Sequence, residues 1–376
     1  MGTKIKILHI QDTIASGGVE KLRLSLAKHL DKDKFEQRMI CCHAVKNLPD
    51  EIRNEGVSID VIGSFKSPFH WSQHQKVQKI IEEFKPHIIH GAVFEGVTMA
   101  AINGWIKKVP IILLEETSDP QNRSWKGDLL MKIYSKLATK VIGVSEGVTE
   151  EYLKGKLGLS DKKAITINNG VTLPRAVSQT EIEAEKIRWG INEKDFVIGS
   201  VGRMKDDSHK KFSDLIKAFS IFAGGKENVK LLMVGGTEEY LKKYRDLADE
   251  LNVSDKIIFA GFQSDVAVFY KLMNVFALVS AREAFGLVLA EAMLNKLPVI
   301  ATRVGGMKYI VDNEATGYLV EVGDINSMCE KFETLYADND LVKKMGEKGF
   351  IKALENYTEE QYIKTISNLY LKLYHK

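Results

Sequence analysis

The sequence predicts two α/β domains, each a doubly wound parallel sheet, facing one another across a cleft. Three observations carry that prediction. Short apolar runs alternate with segments of helical periodicity along nearly the whole chain, and such alternation builds parallel sheets covered by helices on both faces. The alternation lapses once, in the polar, helix-prone stretch VSQTEIEAEKIRWGINEKD, and then resumes. The chain has 376 residues, more than twice the roughly 150 that one domain usually holds. The expected divisions are 1–188, 189–355 and a C-terminal helical segment, 356–376, returning to the first domain.

In the first half, KIKILHIQD reads as a strand, SGGVE as a turn and VEKLRLSLAKHL as a helix with leucines at helical spacing. FEQRMICCHAV, VSIDVIGSF, HIIHGAVF, VPIILLEET, KVIGVSE and AITINNGV continue as strands, with WSQHQKVQKIIEEFKP and KGDLLMKIYSKLAT as helices. The second half repeats the theme from FVIGSVGR through KFSDLIKAFSIFA, VKLLMVGG, EEYLKKYRDLADEL, KIIFAGF, VAVFYKLM, VFALVS and FGLVLAEAMLNK to PVIATRV. The last segment carries Tyr362, Ile363, Ile366, Leu369 and Leu373 on one helical face.

Composition removes several classes. A chain 44% hydrophobic, 27% charged and 9% aromatic has the make-up of a globular protein with large cores. Lys and Arg number 53 against 50 Asp and Glu, a net charge of +3, too small for a protein whose main task is neutralising nucleic-acid phosphates. No apolar run reaches a membrane span, since VPIILL stops at Glu115, and the N-terminus lacks a cleavable signal pattern. Three cysteines, two of them adjacent as Cys41 and Cys42, make no disulfide framework. A cytoplasmic protein is expected, and a buried strand suits Cys41, Cys42 and His43 better than a metal site.

In open parallel sheets ligands bind beyond the carboxyl ends of the strands. Gly17 and Gly18 follow the first strand and precede a helix, which lets backbone approach an anion at a helix N-terminus; without GxGxxG they do not signal NAD. Gly202 and Arg203 end FVIGSVGR, and Lys210 and Lys211 precede the helix from Phe212. That placement suits a diphosphate, although SHKK is also the kind of polar run that faces water. In SAREAFGLVLAEAM, Ser280 ends a strand, Glu283 lies in the turn, and Phe285, Gly286, Leu287 and Val288 begin a helix carrying Glu291. Their unpaired N–H groups can receive a diphosphate. A carboxylate beside that cradle suits hydroxyls, so one Glu is expected on ribose and the other on a sugar ring. Glu291 sits in the otherwise apolar helix LVLAEAML, where a charge is costly without a partner. Phosphate, ribose and sugar together describe a nucleotide sugar.

With these residues in view, the chain resembles a retaining glycosyltransferase of family 4, with the GT-B fold, over nearly its whole length. The most specific likeness is the E-x7-E element Glu283 to Glu291, followed by PVIATRVGGMKYIVDNEATGYLV. The resemblance implies that Glu283 meets donor-sugar hydroxyls, that Glu291 meets the ribose, and that Arg203 and Lys210 neutralise the departing diphosphate. Lys211 stands where the family often has glycine, which leaves open which lysine acts. Gly17 and Gly18 match the family's glycine loop near the diphosphate, and Gly261 and Phe262 in GFQSD resemble the loop that meets the base. After PIILL the family often carries a histidine; Glu116 aligns with it, as a ligand for an acceptor or donor hydroxyl or as a solvated strand end. His90, at another strand end, reads as structural.

The expected reaction moves a sugar from a nucleotide diphosphate, UDP before GDP, to a hydroxyl of a glycan or lipid-linked acceptor in bacterial surface polysaccharide synthesis. The second domain would hold the donor and the first the acceptor, with closure excluding water. No metal is expected, because the cations and the helix dipole offset the growing charge and Asp206–Asp207 lacks the spacing of Asp-x-Asp. Lys107, Lys108, Arg123, Trp125 and Lys126 are candidates for peripheral contact with an anionic inner membrane. The rival readings are a sugar-nucleotide epimerase or hydrolase of similar fold, and a non-catalytic nucleotide-sugar binder.

Overall fold

The computed structural model describes residues 3–15, 18–119, 123–205 and 207–376, with Val19 described by its backbone alone. The chain forms two units, Met1–Gly170 with Glu359–Lys376, and Val171–Thr358. The division therefore falls at residue 170, not 188. The polar stretch is the reason: it forms the helix Gln179–Trp189, opened by a capping box between Ser178 and Glu181. Its Ile182 and Trp189 pack on the core of the second unit, with Trp189 against the Phe269 ring. The expected division at 188 gave this helix to the first domain, whereas the fold packs it on the second.

In the first unit the strands are β1 (Ile5–Ile14), β2 (Phe35–Ala44), β3 (Ser58–Val61), β4 (Ile88–Ala92), β5 (Ile111–Glu116), β6 (Lys140–Gly143) and β7 (Ala164–Thr166). They form one sheet in the order β3-β2-β1-β4-β5-β6-β7, and each pair is parallel. Successive side chains point to opposite faces, so Leu8 and Ile10 enter one core and Ile5 and Ile7 another. The second core is completed by Tyr362, Ile363, Ile366 and Tyr370 of the helix Glu359–Tyr374. Cys41 and Cys42 are both fully buried on β2.

In the second unit β8 (Phe196–Val201), β9 (Val229–Val234), β10 (Ile257–Gly261), β11 (Val275–Leu278), β12 (Val299–Thr302) and β13 (Gly317–Val320) pair in the order β10-β9-β8-β11-β12-β13. These pairs are parallel too. The helices Ile325–Ala337 and Asn339–Asn356, together with β13, extend this unit beyond the units legible in sequence. HIIHGAVF ends as a strand at Ala92, because Val93, at φ 62°, turns the chain into the helix Val93–Ile106. A Cβ on Gly96 would stand 2.3 Å from the Ile10 carbonyl oxygen, so that helix lies directly on β1.

Towards the carboxyl ends of β1, β4 and β5 the core face beneath the helix Glu359–Tyr374 turns polar. Arg23, Glu115, His9 and His90 are all buried there. The Arg23 guanidinium donates to Glu115 Oε2, His90 Nε2 lies 3.1 Å from the same oxygen, and His90 Nδ1 is 2.8 Å from the Tyr370 hydroxyl. Burial by itself would raise the Glu115 carboxyl, but the Arg23 charge and His90 outweigh it and bring it down to about 2. Burial, reinforced by Arg23, pushes both imidazoles below their usual range.

All three groups take up protons more readily in the unfolded chain, so stability is lost as pH falls, first through the ordinary histidine value of 6.5 and then from 4.5 towards 2. Glu115→Gln leaves the Arg23 charge buried without its counter-ion and is expected to cost about 3–5 kcal/mol at neutral pH. Chemical denaturation across pH checks this: the gap to the wild type should narrow below pH 4.5, and a gap independent of pH would contradict the assignment.

Candidate active site

In the second sheet the connections run outward in opposite directions from β8 and β11, so the loops that follow these two neighbours open a crevice at the topological switch point. Loops after β8, β9 and β10 are stitched together by their glycines. Gly202 N–H donates to the Val234 carbonyl at 3.0 Å and Gly235 N–H to that of Gly261 at 2.7 Å. A Cβ on Gly235, at φ 122°, would lie 2.0 Å from the Gly202 oxygen, so only glycine fits. Gly261 turns left-handed with open space beside it, and the Phe262 ring after it is 76% exposed. An aromatic face held at a strand end is a stacking surface for a base.

Arg203 leaves the end of β8 exposed, with no ion-pair partner among the described residues. A short helix, Asp207–Lys210, then brings Lys210 across the switch point, where its Nζ lies 2.5 Å from Glu283 Oε2 in the loop after β11. Ala281 N–H donates to the His209 carbonyl at 2.8 Å and fastens the same two loops. Lys211 has a different task. Its φ of 54° places it in the left-handed region at the start of the helix Phe212–Phe222, where its carbonyl accepts from Asp214 and Leu215. Glycine is favoured at such a φ, and the geometry assigns the pairing with Glu283 to Lys210.

After Glu283, Gly286 adopts φ 98° and the helix runs Leu287–Leu294. The first turn begins at Leu287, two residues beyond Phe285, because the left-handed residue ends the approach. Among the described residues no side chain caps it; Leu289 and Ala290 N–H donate to the Gly286 carbonyl, which leaves the N–H groups of Leu287 and Val288 and their partial positive charge at the helix start. Phe285 is buried edge-on against Tyr357, with ring centroids 5.6 Å apart, so its side chain packs while its backbone borders the site. Leu287 and Val288 are half-buried. Glu283 is positioned through its carbonyl, which accepts from Gly306 N–H at 3.0 Å. Glu291, one turn into the helix, accepts from the Tyr270 hydroxyl at 2.8 Å.

In the first unit Gly17 lies outside the described residues, and Gly18 opens the helix Gly18–His29; in the second unit Asp206 lies outside them too. Glu116 is buried, and both its oxygens are taken by Arg123, at 2.5 and 3.0 Å, with Ser118 donating to Oε1 at 2.7 Å. The guanidinium also donates to the Tyr152 hydroxyl and stands over the Phe94 and Tyr152 rings. Glu116 is thus neither a solvated strand end nor an open acceptor, and Arg123, with 13% of its side chain exposed, leaves the list of surface-facing cations. His90 belongs to the buried cluster. Gly235 and Tyr270 are contributors that sequence reading passed over. The pair of glycines after VKLLMV was a signal for the first, whereas nothing local marks the second.

The profile of "Glycosyltransferase Family 4" matches residues 16–175, and that of "Glycosyl transferases group 1" matches residues 181–351. Over 242 residues the chain is 34% identical to the capsular polysaccharide biosynthesis glycosyltransferase CapM of Staphylococcus aureus, covering 62% of each chain. With the N-acetyl-α-D-glucosaminyl L-malate synthase of Bacillus anthracis identity is 31%, across 49% of this chain and 48% of that protein. The chain therefore spans about half to three fifths of the length of these relatives. A UDP-Gal:α-D-GlcNAc-diphosphoundecaprenol α-1,3-galactosyltransferase of Escherichia coli is 23% identical across 98% of this chain and 97% of its own. The crystal structure of Anabaena Alr3699/HepE in complex with UDP superposes with TM-score 0.84 at 20% identity, over 97% of this chain and 99% of that one.

Two parallel α/β units of this topology, matched by profiles over both halves, define the GT-B architecture. Residues 16–175 belong to glycosyltransferase family 4, and residues 181–351 to the glycosyl transferases group 1.

The Lys210–Glu283 pair is only about one fifth exposed at each side chain (21% and 19%), yet an ion pair this close to solvent is worth little to the fold. Lys210→Met should change the free energy of unfolding by less than about 1 kcal/mol. Gly286→Ala forces an L-residue into φ 98° and should cost about 1–2 kcal/mol. Denaturant melts of both variants test this contrast, and a larger loss for Lys210→Met would mark that pair as structural.

Proposed function

We propose that the protein is a retaining, metal-independent glycosyltransferase that moves a sugar from a UDP-sugar to a hydroxyl of a glycan or lipid-linked acceptor in bacterial surface polysaccharide synthesis. The observation that carries the reading is the pairing of Lys210 with Glu283 beside the uncapped N-terminus of Leu287–Leu294. That arrangement offers an anion and a set of hydroxyls adjoining places. On donor binding the diphosphate takes Lys210, and the sugar hydroxyls take the carboxylate it releases. As the bond from the anomeric carbon to phosphate breaks, negative charge grows on the leaving diphosphate, where Arg203, Lys210 and the helix N-terminus stabilise it. In this reading these cations do the work that a divalent ion would otherwise do. The first unit takes the acceptor. UDP is supported by the complex of the HepE neighbour, and a lipid-linked acceptor by the diphosphoundecaprenol-linked acceptor of the Escherichia coli relative.

Peripheral membrane contact has a surface to act through. No helix among the described residues is long and apolar enough to cross a membrane. The helix Trp125–Leu137, however, exposes Trp125 at 71%, Leu129 at 51% and Ile133 at 44% along one face, and its Lys126, Lys132 and Lys136 are exposed too. An apolar stripe between lysines is the pattern that lies on anionic lipid.

Thermal melts with UDP-, GDP- and ADP-sugars test the donor. A UDP-sugar should raise the melting temperature, since a ligand of the native state alone stabilises it, and no shift with any of them would overturn the reading. Arg203→Ala and Lys210→Ala should each lower kcat by about a hundredfold or more, while EDTA should leave the wild-type rate unchanged. In flotation, vesicles containing phosphatidylglycerol should carry the wild type, but not Trp125→Ser/Leu129→Ser. Equal flotation of the two would remove this helix from the membrane contact.

A further inference from the structure

Glu291 would be a poor recognition group if its side chain were free to rotate, because every ligand hydroxyl would then have to order it on binding. It is not free. Tyr270, in the short helix Ala267–Lys271, reaches the carboxylate with its hydroxyl, donating to Oε2 at 2.8 Å. The phenol ring is 3% exposed and packs against Phe276 with centroids 5.8 Å apart. Its segment follows the β10 loop that carries Phe262. One buried hydroxyl therefore links the element after the aromatic face to the helix that bears the carboxylate. Burial, with the Glu291 charge adding to it, pushes the phenol well above its ordinary range, so it remains a donor.

A phenol has one proton to give. Given to Oε2 at 2.8 Å rather than to the more distant Val288 carbonyl at 3.5 Å, it tethers that oxygen and leaves Oε1, without a partner among the described residues, to accept from a ligand. We infer that Tyr270 is a positioning residue for nucleoside recognition: it holds Glu291 so that the free oxygen meets the ribose hydroxyls. The inference rests on the donor reading above and adds to it the residue that sets selectivity for ribose over deoxyribose.

The test is calorimetric titration with UDP and 2′-deoxy-UDP of the wild type, Tyr270→Phe and Glu291→Gln, with ligand-free melting temperatures measured alongside. The wild type should favour UDP by about tenfold or more, as expected for a hydrogen bond to a charged group. Tyr270→Phe removes one oxygen and keeps the ring; it should fold and shrink that preference by about three- to tenfold. In turnover it should raise the donor KM with little change in kcat. Glu291→Gln can still accept from Tyr270 and should also lose the preference, which keeps the test independent of how well Tyr270→Phe folds. A lower melting temperature for Tyr270→Phe with an unchanged UDP to deoxy-UDP ratio would show a packing residue and overturn the inference alone. A wild type that binds neither nucleotide would overturn the donor reading and this inference together.

Discussion

Parallel strands have one consequence on which everything else in this molecule depends. They can be joined only by crossovers, so every strand of a unit delivers its carboxyl end to the same edge. In the second unit that edge collects Gly202 and Arg203 after β8, Gly235 after β9, Gly261 and Phe262 at β10, and Glu283 after β11. These residues, scattered over about eighty positions of sequence, are brought to one edge of the sheet. The glycines are the cost of that convergence. Gly235 tolerates no Cβ because the Gly202 carbonyl occupies its place, and Gly286 turns left-handed so that a helix can begin with its first N–H groups bare.

Charge is managed differently in the two units. In the second, Lys210 and Glu283 neutralise each other in reach of solvent and can exchange partners at low cost. In the first, Arg23 and Glu115 are sealed beneath the helix Glu359–Tyr374, with His9 and His90 held neutral beside them. Such a pair cannot be opened cheaply. It ties the helix after the glycine loop to the end of β5, and Tyr370 adds the C-terminal helix to the same cluster. Glu116, the adjacent carboxylate, points the other way and is consumed by Arg123. Two neighbouring acids thus serve two separate frameworks, which explains how a strand end can carry Glu-Glu without presenting a free carboxylate.

Much of the fold was legible because its signals are local. Apolar runs of strand length and leucines at helical spacing identified the alternation, and the lapse near residue 180 marked the change of unit to within one helix. That helix was misassigned because a capping box and a polar face look the same on a linker and on a covering element; Ile182 and Trp189 differ only in what they touch. The end of β4 was blurred for a similar reason, since β-branched Val93 suits a strand while its backbone is already turning. In the site, SAREAFGLVLAEAM announced a loop and a helix start, and Lys210 and Lys211 were indistinguishable until φ separated them.

Chain chemistry alone thus determines most of the strands and helices and the alternation that makes the sheets parallel. Those properties follow from periodicities of two and about 3.6 residues, readable within a short window. Partnership is another matter. Tyr270 and Glu291 are 21 residues apart, Lys210 and Glu283 are 73, Arg23 and Glu115 are 92, and His90 and Tyr370 are 280. No local pattern encodes such pairings. They arise when sheet order and register bring the side chains within hydrogen-bonding distance, and burial then determines how far each pair is sealed from solvent.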